Sequence, residues 1–76
     1  MEKNYLPAIE GLIFASPTPI SLAEIKYCLE NSFAVSMAQE EIESVIQKIE
    51  DRYKSEEFGI ELKEIAGGYQ FLSKPD

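Results

Sequence analysis

Apolar residues recur at helical spacing in three successive segments, the period changes to two after Gly59, and Gly67-Gly68 separates two alternating runs. Together these observations predict an α+β fold. Three helices followed by a β-hairpin wing is the element order of a winged helix-turn-helix.

The first helix is expected from Tyr5 to Phe14, where Tyr5, Leu6, Ile9, Leu12 and Ile13 form one stripe. Pro7 is tolerated in the first turn, with Asn4 as the expected N-cap, because its missing N–H has no helical partner to lose. Gly11 weakens this helix by about 1 kcal/mol relative to Ala. Ser16-Pro17-Thr18-Pro19 ends it, since neither proline continues a helix.

The second helix has the fuller start signal. Ser21 and Glu24 have the spacing of a capping box, and Ile20 and Ile25 that of a hydrophobic staple. The helix should run from Leu22 to Glu30, bury Leu22, Ile25 and Leu29, and stop at Asn31. Ser32 to Val35 is a connector. Ser36 and Gln39 repeat the capping-box spacing and predict a third helix to about Glu56. Its stripe is Ile42, Val45, Ile46, Ile49 and Tyr53, and Glu50 and Lys54 are placed to pair.

In the hairpin, Ile60 and Leu62 alternate with Glu61 and Lys63, and Tyr69 and Phe71 flank Gln70. Gly67-Gly68 has the chemistry of a two-residue turn. Ile65 is out of phase with Ile60 and Leu62, which predicts a bulge or an early strand end near Glu64.

A chain of 76 residues makes one small domain, in which only about 60% of the unfolded surface is buried. It has no His and one cysteine, Cys28, so neither a zinc site nor an internal disulfide is available. A protein partner is the remaining source of support for so small a core. No apolar run approaches the roughly 20 residues that span a bilayer. Met1-Glu2-Lys3-Asn4 lacks the basic and apolar regions of a signal peptide, and one unpaired cysteine suits a reducing compartment. The cytoplasm is the expected location.

Enzyme chemistry finds no support. Cys28 has no base to activate it and sits at the edge of an apolar stripe, where a packed, inert thiol is expected. The carboxylates lie on polar helix faces with no His nearby, the pattern of solvated surface rather than of a catalytic or metal cluster. Gly67-Gly68 is too short for a phosphate-binding loop. The sequence therefore predicts no catalytic, cofactor or metal residue.

Two stretches carry a resemblance. Ile9-Glu10-Gly11-Leu12-Ile13-Phe14-Ala15-Ser16, followed by Pro19-Ile20-Ser21, resembles the opening of the segregation and condensation protein B family. Ala66-Gly67-Gly68-Tyr69-Gln70-Phe71, closing with Ser73-Lys74-Pro75, resembles that family's most recognisable stretch. The similarity covers nearly the whole chain. Gly11 departs from it, where small helix formers such as Ala are usual, and the loop from Asn31 to Ser36 is long. The resemblance implies that residues 1–76 are an N-terminal winged-helix domain, and that the family's second winged-helix domain is absent from this chain.

It also implies a non-enzymatic, dimerising adaptor acting in chromosome condensation and segregation. Such an adaptor forms a homodimer largely through this domain. The dimer binds the central region of a kleisin subunit, segregation and condensation protein A, which bridges the heads of a coiled-coil SMC ATPase on the nucleoid. Because the kleisin segment would engage a two-domain subunit, this domain alone is expected to bind it weakly.

Residues off the helical stripes are candidates for a protein interface. Phe14 points about 140° from the centre of its core face, and Tyr27 is similarly displaced. Phe33 and Val35 sit in a connector, and Leu72 is opposite in phase to Phe71. Each could instead close the core around a loop. Several large apolar groups in one exposed patch would mark a partner surface.

The fold alone also suggests a DNA-binding transcriptional regulator, whose last helix would enter the major groove. Against it, the third helix presents Glu40, Glu41, Glu43, Glu50 and Asp51 and only Lys48, Arg52 and Lys54 in return. The chain has 14 acidic and 7 basic residues, a net charge of −7, and in the wing Glu61 and Glu64 offset Lys63. Phosphate contact needs the opposite balance. An acidic interaction module of the anti-sigma type is a third, weaker reading. We predict no measurable binding to duplex DNA at physiological salt. Micromolar affinity with a steep negative salt slope in an anisotropy titration would contradict the charge argument.

Overall fold

The computed structural model describes residues 5–75. Its elements are α1 (Leu6–Ala15), β1 (Ile20–Ser21), α2 (Leu22–Ser32), α3 (Gln39–Arg52), β2 (Ile60–Ile65) and β3 (Gly68–Ser73). The strands form one antiparallel sheet in the order β1-β3-β2. This is the expected winged helix, with a strand that periodicity does not reveal, because two residues are too short to alternate. Ile9 and Ile13 of α1, Ile25 and Leu29 of α2, and Ile42, Ile46 and Ile49 of α3 are fully buried. Ile20, Leu62 and Tyr69 close this core from the sheet.

The helix ends show where local chemistry decided and where packing did. The cap expected at Asn4 lies outside the described residues; Tyr5 is the N-cap and supplies no side-chain bond. At α2 the capping box forms as expected, with Glu24 N–H donating to Ser21 Oγ and Ser21 N–H to Glu24 Oε1, each at 3.1 Å. Asn31 does not stop the helix. It is helical, and its Nδ2 donates to the Tyr27 carbonyl at 2.8 Å. The turn-off comes at Ala34, whose φ of 53° is left-handed, while Phe33 and Val35 N–H both donate to the Leu29 carbonyl.

α3 starts at Gln39 rather than after Ser36. Met37 is buried in the core and its carbonyl accepts a bond from Lys26 Nζ at 2.8 Å, which fixes the chain ahead of the helix on a non-helical path. Ala38 is the N-cap and offers no side-chain acceptor, but Ala38 N–H donates to Glu41 Oε1 at 3.0 Å. The helix also ends earlier than Glu56. Tyr53 caps it, and Phe58 folds back so that its ring lies 4.8 Å from that of Tyr53. Lys54 pairs with Asp51 at 3.3 Å instead of with Glu50; both partners are exposed, so the pair contributes at most about 1 kcal/mol.

The hairpin runs in unbroken register from Ile60 opposite Ser73 to Ile65 opposite Gly68. Of the bulge or early strand end expected near Glu64, the bulge is absent, and the strand ends one residue on, at the half-buried Ile65. The turn is Ala66-Gly67, not Gly67-Gly68. Both residues take positive φ, 50° and 81°, as a type I′ turn requires. Gly68 has another task. It pairs with Ser21 of β1, and a Cβ there would stand 2.8 Å from the Pro19 carbonyl carbon. Only glycine lets β1 close onto β3.

Burial pushes the phenols of Tyr53 and Tyr69 above the ordinary value of 10.0. A hydrogen bond to Glu10 and its charge add to the effect at Tyr53, with Arg52 opposing; Glu64, Glu50 and Glu43 add to it at Tyr69.

Three substitutions should separate these contributions in denaturant unfolding. Ser21→Ala should cost about 0.5–2 kcal/mol through loss of the cap, and Ile46→Ala about 2–5 kcal/mol through the cavity it leaves. Gly68→Ala should cost roughly 1–3 kcal/mol by forcing β1 from β3. Equal, negligible shifts in all three midpoints would contradict the assignments. A pH series checks the tyrosines. Their raised folded pKa values favour the protonated fold, so this contribution is full below pH 10.0 and is lost as pH rises through the folded values. An unfolding midpoint that held constant well above that pH would contradict their burial.

Candidate protein-interaction surface

The five off-stripe residues do not form one patch. Phe14 is 57% exposed at the end of α1, and its ring lies 4.7 Å from Phe71 of β3. Leu72, 38% exposed, follows on the same strand. Together they rim a shallow groove of about 190 Å³ between α1 and β3, floored by Ile13 and Ile60 and edged by Ser16, Gln70 and Ser73. Tyr27, 67% exposed on α2, and Phe33, 49% exposed at its C-cap, stand outside this groove. Val35 differs from the other four, being partly buried against the core.

Phe71 is the member that periodicity does not single out, since it is in phase with Tyr69 on one face of the strand. It is half-buried because α1 ends beside β3, a tertiary fact. Behind it the rings continue inward. Phe71 meets Tyr53 edge-on at 5.0 Å, Tyr53 meets Phe58, and the Arg52 guanidinium lies 5.9 Å from the Phe58 ring centre. The exposed Phe14 is thus the outer end of a packed aromatic series, held at a fixed angle rather than loose on the surface.

The remaining candidates carry little chemistry. Cys28 is a half-buried free thiol. No group of three or more His, Cys, Asp or Glu residues among those described could hold a metal ion. No described helix is long and apolar enough to cross a membrane. On α3, Glu40, Glu41, Glu43 and Asp51 are exposed and Glu50 is half-buried, so the helix that a DNA-binding winged helix would insert is acidic along its open face.

The model of the segregation and condensation complex subunit ScpB family matches residues 7–76. Similar curated proteins include a segregation and condensation protein B homolog of Coxiella burnetii, 29% identical over 99% of this chain and 34% of its own length. Segregation and condensation protein B of Moorella thermoacetica is 26% identical over 96% of this chain and 34% of its own length. The chain thus spans about a third of the length of these relatives. A crystal structure described as a dimer of the ScpB N-terminal domain complexed with ScpA peptide superposes with a TM-score of 0.80 at 28% identity, covering 97% of this chain and 82% of that one. A conserved hypothetical protein from Chlorobium tepidum superposes with a TM-score of 0.71 at 27% identity, over 92% of this chain and 41% of its own. Sequence, fold and the motif-bearing segments agree: this chain belongs to the ScpB family of segregation and condensation complex subunits.

Proposed function

We propose that this chain is the N-terminal winged-helix domain of a non-enzymatic adaptor that dimerises and binds a kleisin subunit of the ScpA type. Through the kleisin it would serve an SMC ATPase in the cytoplasm, on the nucleoid, in chromosome condensation and segregation. In the whole protein a second winged-helix domain would follow. The observation that carries this reading is the division of the surface. Four large apolar side chains, Phe14, Tyr27, Phe33 and Leu72, stand exposed on a domain whose α3, the helix a DNA-binding winged helix would insert, is acidic. A surface of that kind suits protein partners and repels phosphate.

The superposition with a dimeric ScpB N-terminal domain that carries an ScpA peptide supports both parts of the proposal. It also supports placing at least some of the kleisin contact on this domain, beside the expectation that the full site spans two domains. The fold by itself favours a DNA-binding regulator, and the acidic α3 argues against it.

Light scattering at roughly tens of micromolar should return twice the 8.6 kDa chain mass. A value of one chain at every concentration would contradict dimerisation. In calorimetry, the central ScpA segment should bind this chain more weakly than it binds the two-domain protein, because partial contact leaves the ordering entropy of the peptide incompletely offset. Equal affinities would place the whole site within residues 1–76, and no binding to either would contradict the adaptor reading.

A further inference from the structure

We propose that the groove between the end of α1 and β3, rimmed by Phe14, Phe71 and Leu72, is where a second copy of this chain docks. The inference rests on the dimer proposed above and assigns it a face.

Charge is the first argument. Two copies of a chain of net charge −7 repel each other, so they can meet closely only where neither brings like charge. The groove meets that condition, since every residue lining it is uncharged. A two-fold interface must also be self-complementary, and an uncharged apolar face meets its own copy without needing a matching pattern of opposite charges.

Desolvation is the second. Two of the three polar side chains at the rim already have a partner within the chain. Ser16 Oγ donates to the Thr18 carbonyl at 2.6 Å, and Gln70 Nε2 donates to the Pro17 carbonyl at 3.3 Å. Covering the groove therefore strands few polar groups. The rings are also already ordered, Phe14 against Phe71 and Phe71 against Tyr53, so docking freezes little further side-chain motion.

The other exposed aromatics lack these properties. Tyr27 on α2 and Phe33 at its C-cap stand on the element that carries Glu24 and the half-exposed Lys26–Glu30 pair, a mixed surface that two identical copies would have to desolvate. The outer edge of β2 is likewise charged, with Glu61, Lys63 and Glu64, as protected edge strands commonly are.

The test is sedimentation equilibrium of the wild-type chain beside Phe14→Glu, Leu72→Glu, Tyr27→Glu and Phe33→Glu, with circular dichroism to confirm each fold. Phe14→Glu and Leu72→Glu should each raise the dimer dissociation constant at least about tenfold, as loss of a central contact does. The α2 variants should leave it within about twofold. A wild-type dimer that both groove variants leave intact, or that only the α2 variants break, overturns the assignment while the dimer itself stands. A wild-type monomer overturns both. Groove variants that lose the ScpA segment but keep the dimer would give the groove to the kleisin instead, which also overturns the proposal. Should a groove variant fail to fold, dilution of isotope-labelled wild type decides. Amide shifts must change at Phe14, Phe71 and Leu72 as the dimer dissociates, and shifts confined to α2 refute the assignment.

Discussion

Burial of seven aliphatic side chains drawn from three short helices is the constraint on which the rest of this domain depends. Ile9, Ile13, Ile25, Leu29, Ile42, Ile46 and Ile49 are the fully buried set, and all but one are isoleucine. The lone cysteine cannot form a disulfide within the chain, and no described cluster can hold a metal. The helices must therefore converge on one small cluster, and the sheet must close over it through Ile20, Leu62 and Tyr69. That closure in turn requires β1 to lie against β3, which the missing side chain of Gly68 permits.

Much of this was legible in the sequence because it depends on local chemistry. The capping box at Ser21 and Glu24, the stripe of α3 and the alternation of the hairpin are each written within a few residues. Sequence and structure part where distant groups decide. Ser36 has the spacing of a cap, but burial of Met37 and the reach of Lys26 to its carbonyl move the helix start to Gln39. Gly67-Gly68 has the composition of a turn, yet Ala66 accepts a positive φ and the second glycine is needed by a strand more than 45 residues earlier in the chain. For the candidate surface, periodicity identified Phe14 and Leu72 as surplus to the core. It could not join them, because that depends on α1 ending beside Phe71.

The same division fits a DNA-binding architecture to the protein partners proposed for it. The core occupies one stripe of each helix, and the open face of α3 is given to carboxylates that would repel a duplex. Aromatic residues that the core does not absorb gather at the end of α1 and on α2. One such face is uncharged and pre-ordered by ring packing, and the other is mixed in charge. A domain with two unlike surfaces can meet two unlike partners, which suits the proposed adaptor role.

The most direct measurement of this account is the dimer dissociation constant of the wild-type chain as a function of ionic strength. An uncharged apolar contact between two strongly acidic copies is opposed by their long-range repulsion, which salt screens over a Debye length of about 10 Å at 0.1 M. The dimer should therefore tighten as salt rises from about 0.05 M to about 0.5 M. A dimer that loosened over that range would be held by ion pairs, and the uncharged groove could not be its interface.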